Sequence, residues 1–210
     1  MTTLTARLHR EPRTWLSNPA TIIIVAMMTG MTFSASGAAP TPLYHLYQER
    51  FGLTQAMVTV NFAAYVLSLL LALLTTGALS DHVGRRPPVL GALILNIIAM
   101  VMFITAGSGA ALIVARTVQG FATGIATTAL GAAVVDVDRS RGAVLNSVMV
   151  FAGLTVGTLG AATLVTFAPD PAQLVYVVLL ALSGSRHCYF GTCLERRGPS
   201  LERSHRCALM

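Results

Sequence analysis

The stretch Gly77-Ala-Leu-Ser-Asp-His-Val-Gly-Arg-Arg86 lies between two apolar segments, each about as long as a membrane-spanning helix. Its polar residues form a short turn that reverses the chain. Gly84 can adopt the positive φ that a tight reversal needs, and the two prolines that follow suit the first turn of the next helix. Arg85 and Arg86 favour the cytoplasmic side of a membrane. The stretch therefore predicts two membrane helices joined by a cytoplasmic loop.

Composition extends this prediction to the whole chain, because 54% of its 210 residues are hydrophobic and only 10% are charged. A helix needs about 20 apolar residues to cross a bilayer, and several runs reach that length. The predicted spans are 21–39, 58–79, 88–106, 110–135 and 143–168, with a sixth run that begins near Ala172. A cleaved signal peptide is a weaker interpretation of the first run, since further spans follow at once. The predicted fold class is an all-α membrane protein.

The positive charges predict the orientation in the membrane. The chain has no lysine, and its arginines cluster before the first span, after the second and after the fourth, whereas the loops between hold only Arg50. Because arginine is retained on the cytoplasmic side, we expect a cytoplasmic N-terminus in a multi-pass protein of the plasma membrane, the bacterial inner membrane. The net charge of +6 is then explained by the orientation of the chain in the membrane, so the expected partner is the lipid bilayer and not nucleic acid.

The loop at 77–86 resembles the loop between the second and third helices of major facilitator superfamily transporters, whose pattern is Gly-x-Leu-Ser/Thr-Asp-Arg-x-Gly-Arg-Arg/Lys. The residues that match in register are Gly77, Leu79, Ser80, Asp81, Gly84, Arg85 and Arg86. His82 stands where the family usually has arginine. An ordinary basic loop that only anchors two helices is the alternative. The resemblance implies the N-terminal half of a twelve-helix carrier that holds a small-molecule substrate between two six-helix halves.

The fourth span contains the only charged side chain inside a complete apolar run, Arg116, and Gln119 follows one turn later on the same face. A guanidinium is costly within a bilayer and normally faces a cavity or a partner, so Arg116 is a candidate functional residue. Snorkelling is the alternative, since Arg116 lies only about 10 Å below Gly109 at 1.5 Å per residue. Arg-x-x-Gln-Gly also resembles an element on the fourth helix of the superfamily, which implies a role in coupling or substrate binding.

Small residues recur at four-residue spacing on two spans, as Gly120 and Gly124 on the fourth and Gly153 and Gly157 on the fifth. Such pairs let helix backbones approach closely in lipid. The fifth span also partly resembles the Gly-x-x-x-Gly-Pro-x-x-Gly-Gly element of drug antiporters, although Thr158 replaces the proline. Export by antiport is therefore an open alternative, and drug specificity is not supported.

Carboxylates are absent from the five clear spans, where a proton-driven carrier usually places one. Asp81 and Asp136 lie at predicted cytoplasmic ends, and Asp136 is a candidate latch partner of Arg85. Solvated loop charges are the alternative, because surface ion pairs contribute only about 0–1 kcal/mol. Polar residues that could line a path or join helices are Asn61, Tyr65 and Asn96.

The C-terminal part departs from the pattern. The sixth apolar run reaches only Ser185, about 21 Å of helix against a core of about 30 Å, so we expect a defective sixth helix. All three cysteines and five arginines crowd into the residues after it, which indicates an altered reading frame or a premature end. A zinc site or a disulfide there is a weaker alternative, and no metal or cofactor is expected. The predicted organisation is a cytoplasmic arm (1–20), a helical bundle (21–182) and an aberrant tail (183–210).

The function predicted from these features is secondary active or facilitated transport of a small organic molecule, by a truncated half that is inactive alone. Alternatives are a non-functional remnant of a transporter gene, a half-transporter that pairs with another half or with a second copy, and a membrane anchor with a regulatory tail. An enzyme is not expected, because no nucleophile, base and orienting group occur together.

Overall fold

The computed structural model describes residues 19–76, 86–168 and 170–195, and all regular structure in these ranges is α-helical. The helices are α1 (Pro19–Ala38), α2 (Pro40–Phe51), α3 (Gln55–Thr76), α4 (Arg86–Thr105), α5 (Gly109–Val137), α6 (Gly142–Phe167) and α7 (Pro171–Glu195). The segments long and apolar enough to cross a membrane are Ala20–Phe51, Gln55–Thr76, Pro87–Thr105, Gly109–Val137 and Gly142–Phe167. The predicted all-α membrane fold with five complete spans is confirmed.

The first span is longer than predicted, because the helical path continues from α1 into α2 and ends at Phe51 instead of Ala39. The apolar run stops at residue 39, but α2 is amphipathic and buries Leu43, Tyr44 and Tyr47 against the bundle. Amphipathic segments do not register as apolar runs, so the sequence underestimated this helix. Gly52 ends it with a left-handed conformation at φ 62°.

The last helix also extends further than its apolar residues. Helix α7 continues through Arg186 to Glu195, although the sequence assigned 183–210 to an aberrant tail. Helical hydrogen bonds join backbone groups and do not require apolar side chains, and the first proline after Pro171 is Pro199. Position 183 therefore marks a change of composition and not the end of a helix. The predicted shortage of apolar residues persists, since α7 is not among the segments long and apolar enough to span a membrane.

Helix α5 lies at the centre of the bundle and packs against α1, α3, α4 and α6. Near its Gly109 end, one buried cluster joins Leu112 of α5 to Leu43 of α2, Met100 of α4 and Tyr176 of α7. Near its Val137 end, a second cluster joins it to α1 and α4. These two clusters fix α5 between its neighbours, and the functional candidates of the fourth span lie between them.

The paired glycines of α5 and α6 lie where helix backbones approach most closely. A Cβ atom added to Gly124 would stand 2.6 Å from the carbonyl oxygen of Leu69 on α3. One added to Gly153 would stand 2.7 Å from the carbonyl oxygen of Met31 on α1. Since a methyl group does not fit at such distances, these glycines set the spacing of α5 to α3 and of α6 to α1.

Candidate functional site

Arg116 is fully enclosed by the bundle, with only 1% of its surface exposed. Its Nε donates a hydrogen bond to the Tyr44 hydroxyl at 3.0 Å. Its Nη1 donates to the carbonyl oxygen of Gly37 at 3.0 Å and to Oε1 of Gln119 at 2.7 Å. The guanidinium of α5 therefore points between helices toward α1 and α2, and it does not extend along the helix toward the headgroups as a snorkelling side chain would.

Aromatic rings surround the same guanidinium. The ring centroids of Tyr65, Phe62 and Tyr44 lie 5.0, 5.7 and 5.8 Å from its Cζ atom. Ring faces within about 6 Å attract a cation through their quadrupole, and the attraction grows where water is excluded. Helix α3 supplies Phe62 and Tyr65. The guanidinium of α5 therefore contacts α1, α2 and α3.

Within the described residues, Arg116 forms hydrogen bonds only with neutral acceptors, and the ion pair found there joins His45 to Glu49 on the surface of α2. The carbonyl of Gly37, near the end of α1, presents the negative end of its dipole to the guanidinium. Backbone dipoles and ring faces thus take the place that a carboxylate would normally occupy beside a buried arginine.

Gln119 is the second buried polar side chain of the site, with no exposed surface. Its Nε2 donates to the carbonyl oxygen of Ser36 at 2.8 Å, while its Oε1 accepts from Arg116. The amide therefore connects α1 to the guanidinium with both of its ends. The one-turn spacing of Arg116 and Gln119 that the sequence predicted does bring the two side chains together.

A polar chain continues from this point to the last helix. Nδ2 of Asn96 on α4 donates to Ser36 Oγ at 3.4 Å and to Ser183 Oγ on α7 at 2.9 Å. All three side chains are buried, and no hydrogen bond to Asn96 Oδ1 occurs within the described residues. Asn96 thus joins helices, one of the two roles left open for it. Asn61 is buried as well, and its Oδ1 is likewise without a hydrogen bond in the described structure.

Sequence reasoning missed Tyr44, Ser36, Gly37 and Ser183. Tyr44 lies in the amphipathic α2, which the predicted spans assigned to an outer loop. Ser36 and Gly37 contact Gln119 and Arg116 through backbone carbonyls, which no residue type signals. A serine in an apolar run is common, so Ser183 carried no distinguishing signal either.

The loop motif predicted as a site lies outside the described residues, except for its last member. Positions 77–85 are not described, and Arg86 begins α4 with its side chain undescribed. Asp136 lies in the last turn of α5. The latch between Asp136 and Arg85 stays a prediction.

The loop after α5 contains a carboxylate that organises the start of α6. Oδ1 of Asp138 accepts hydrogen bonds from the hydroxyl of Ser140 at 2.7 Å, the amide of Ser140 at 3.0 Å and the amide of Arg141 at 3.1 Å. The Ser140 hydroxyl, followed by the Arg141 amide, lowers the pKa of the Asp138 carboxyl below its ordinary value.

The family model of the Major Facilitator Superfamily matches residues 14–190, which include every residue of the site. The chain belongs to the Major Facilitator Superfamily. No curated protein matches it. Members of this superfamily are membrane transporters and not enzymes, so the chain is a multi-pass membrane protein with a general role in transport. In this transporter, the buried guanidinium of the fourth span and its carbonyl acceptors on the first span form the candidate functional site.

Proposed function

We propose that this transporter moves a small organic molecule along a path that includes Arg116. The observation that carries the proposal is a guanidinium that is buried within a membrane bundle and compensated by neutral groups alone among the described residues. A charged side chain inside a membrane bundle is costly, so it is retained where it binds substrate or couples movement to another ion.

The direction of transport and the identity of the membrane are part of the same proposal. The arginines before the first span and after the fourth support a cytoplasmic N-terminus in a bacterial inner membrane. The partial antiporter pattern around Gly153 and Gly157 supports export over import. Asp81, Arg85 and Asp136 would then form a latch on the cytoplasmic side that holds one state of the transport cycle.

A second six-helix half would complete the path, because alternating access requires two halves that rock against each other. Large apolar side chains on α3 and α6 are available for such a contact, and Leu74 and Phe167 are more than 80% exposed. The second half would be another polypeptide segment or a second copy of this chain. Without it we expect no transport, as for a remnant of a transporter gene.

Reconstitution into liposomes tests the proposal. We expect no saturable flux of small organic molecules from the 210-residue chain alone, and saturable flux from an assembly that includes a second half. Arg116→Ala should abolish that flux, whereas the matched variant Arg139→Ala, in the loop after α5, should retain it. Wild-type flux by the Arg116→Ala assembly would refute a role for the guanidinium. Saturable flux by the chain alone, with chemical cross-linking of two copies, would replace the inactive half with a homodimeric half-transporter.

A further inference from the structure

We propose that Pro40 is a positioning residue for the Arg116 site, because its missing N–H leaves the Ser36 carbonyl free to accept a hydrogen bond from Gln119. Nothing in the sequence motifs of the fourth span points to this residue. The consequence for transport rests on the function proposed above, while the effect on the site itself does not.

The backbone of α1 shows how the carbonyl becomes free. In an α-helix the N–H of each residue donates to the carbonyl four residues earlier. The amide of Ala39 still does so, since it donates to Ala35 at 2.9 Å. The next bond would need an N–H at residue 40, which is proline and has none. The carbonyl of Ser36 is therefore without a donor from its own helix at the point where α1 ends and α2 begins.

Gln119 supplies the missing donor from the facing helix, at 2.8 Å. Because this bond commits the NH₂ group of the amide to α1, the oxygen of the same amide must point to Arg116, where it accepts from Nη1 at 2.7 Å. An N–H at residue 40 would compete for the Ser36 carbonyl. Because a carbonyl oxygen has two lone pairs, the buried amide would keep only a weaker bond to an acceptor shared with the new N–H, and its orientation toward the guanidinium would be less firmly fixed.

Pro42 provides a matched control two residues away. It likewise removes the helical donor for a carbonyl of α1, that of Ala38. Within the described residues, no side chain donates to the Ala38 carbonyl. The carbonyls of Gly37 and Ser36, by contrast, accept from Arg116 and Gln119. Pro42→Ala therefore adds an N–H and backbone freedom similar to those of Pro40→Ala, without an expected effect on Gln119.

Hydrogen exchange of the Gln119 side-chain amide gives a direct test that needs no substrate. The chain has four glutamines, so ¹⁵N-glutamine labelling of the protein in lipid nanodiscs gives few signals, and loss of one pair in Gln119→Leu assigns it. We expect Pro40→Ala to accelerate exchange of this amide about threefold to tenfold, the factor for one net hydrogen bond, and Pro42→Ala to leave it unchanged. Equal effects of the two variants, or no effect of Pro40→Ala, would overturn the proposal.

A replacement of residue 40 by lactic acid, introduced by nonsense-codon suppression, separates the N–H from the proline ring. It has the side chain of alanine but an ester in place of the amide, so it removes the ring without adding a donor. Gln119 should keep its slow exchange in this protein. Exchange as fast as in Pro40→Ala would assign the effect to ring packing and overturn the role of the missing N–H.

Thermal unfolding supplies a second measurement that holds even if Pro40→Ala folds poorly by itself. Gln119→Leu leaves the Ser36 carbonyl without any donor, and an added N–H at residue 40 should restore one. We therefore expect Pro40→Ala to raise the melting temperature by more in the Gln119→Leu background than in the wild type, and Pro42→Ala to have the same effect in both backgrounds. Strictly additive effects of the Pro40 and Gln119 substitutions would contradict the shared carbonyl.

Transport is measured last, in an assembly that shows flux. Pro40→Ala should reduce the flux, and Pro42→Ala should retain it. If no assembly transports, the proposed function fails while the exchange result still decides the role of Pro40. If flux depends on Arg116 but Pro40→Ala is as active and as slow to exchange as the wild type, the positioning role alone is refuted.

Discussion

The contact of α6 with α1 predicts opposite effects for two glycines that are one turn apart on the same helix. A Cβ atom on Gly157 would lie 2.5 Å from Cα and 2.8 Å from the carbonyl carbon of Ala35. A Cβ atom on Gly160 would meet nothing within 4 Å. Gly157→Ala therefore forces two backbones apart, whereas Gly160→Ala adds a methyl group in open space.

The size of the effect follows from this geometry. Ordinary van der Waals contact begins near 3.4 Å, so α6 must move about 1 Å from α1 to accept Gly157→Ala. Overpacking of this kind costs about 1–3 kcal/mol, partly offset by about 0.5–1 kcal/mol because alanine favours a helix over glycine. We expect a net loss of about 1–2 kcal/mol for Gly157→Ala. Gly160→Ala retains only the favourable contribution of about 0.5–1 kcal/mol.

Unfolding of the purified protein in mixed micelles, followed by circular dichroism as the denaturing detergent is increased, measures both values. The free energy of unfolding should fall for Gly157→Ala and rise slightly for Gly160→Ala. Adding Ala35→Gly should not rescue Gly157→Ala, because the atoms that obstruct the new methyl group belong to the backbone of residue 35. A Gly157→Ala protein as stable as Gly160→Ala would refute the close approach of the two helices.

In an assembly that transports, Arg116→Lys should abolish flux as Arg116→Ala is expected to do. The reason is that an ammonium group cannot reproduce the planar set of bonds to Tyr44, Gly37 and Gln119. Normal flux by Arg116→Lys would show that the positive charge alone suffices. The lowered pKa of Asp138 means that its hydrogen bonds to Ser140 and Arg141, in the turn before α6, contribute stability above the unfolded-state pKa of about 3.9. This contribution is lost as pH falls through the lower folded-state pKa. Stability of the wild type should therefore drop more than that of Asp138→Ala between neutral and strongly acidic pH, and parallel curves would contradict a contribution from these hydrogen bonds. In a protein freed of its native cysteines, Ser140→Cys should be shielded from an impermeant thiol reagent in intact cells, whereas Gly107→Cys should react; labelling of Ser140→Cys from outside would reverse the proposed topology.

The extent of the spans followed closely from the sequence, because the bilayer imposes a length and an apolar composition on every helix that crosses it. The predicted range 143–168 differs by one residue at each end from α6, Gly142–Phe167. The predicted bounds were wrong where apolar composition and helicity separate, as in the amphipathic α2. The charged end of α7 is likewise helical, although its apolar run ends at Ser185. There the backbone continues as a helix although the side chains no longer indicate a span.

By itself, the sequence determined the fold class, the superfamily resemblance and the choice of Arg116 and Gln119, since a buried charge in an apolar run is conspicuous and one-turn spacing places two side chains on one face. Only the tertiary structure decided what those side chains contact. The acceptors are carbonyl groups at the end of α1, and a carbonyl is present in every residue, so composition and spacing cannot single one out. Which carbonyls are free depends on where α1 breaks, and which donors reach them depends on how α5 packs beside it.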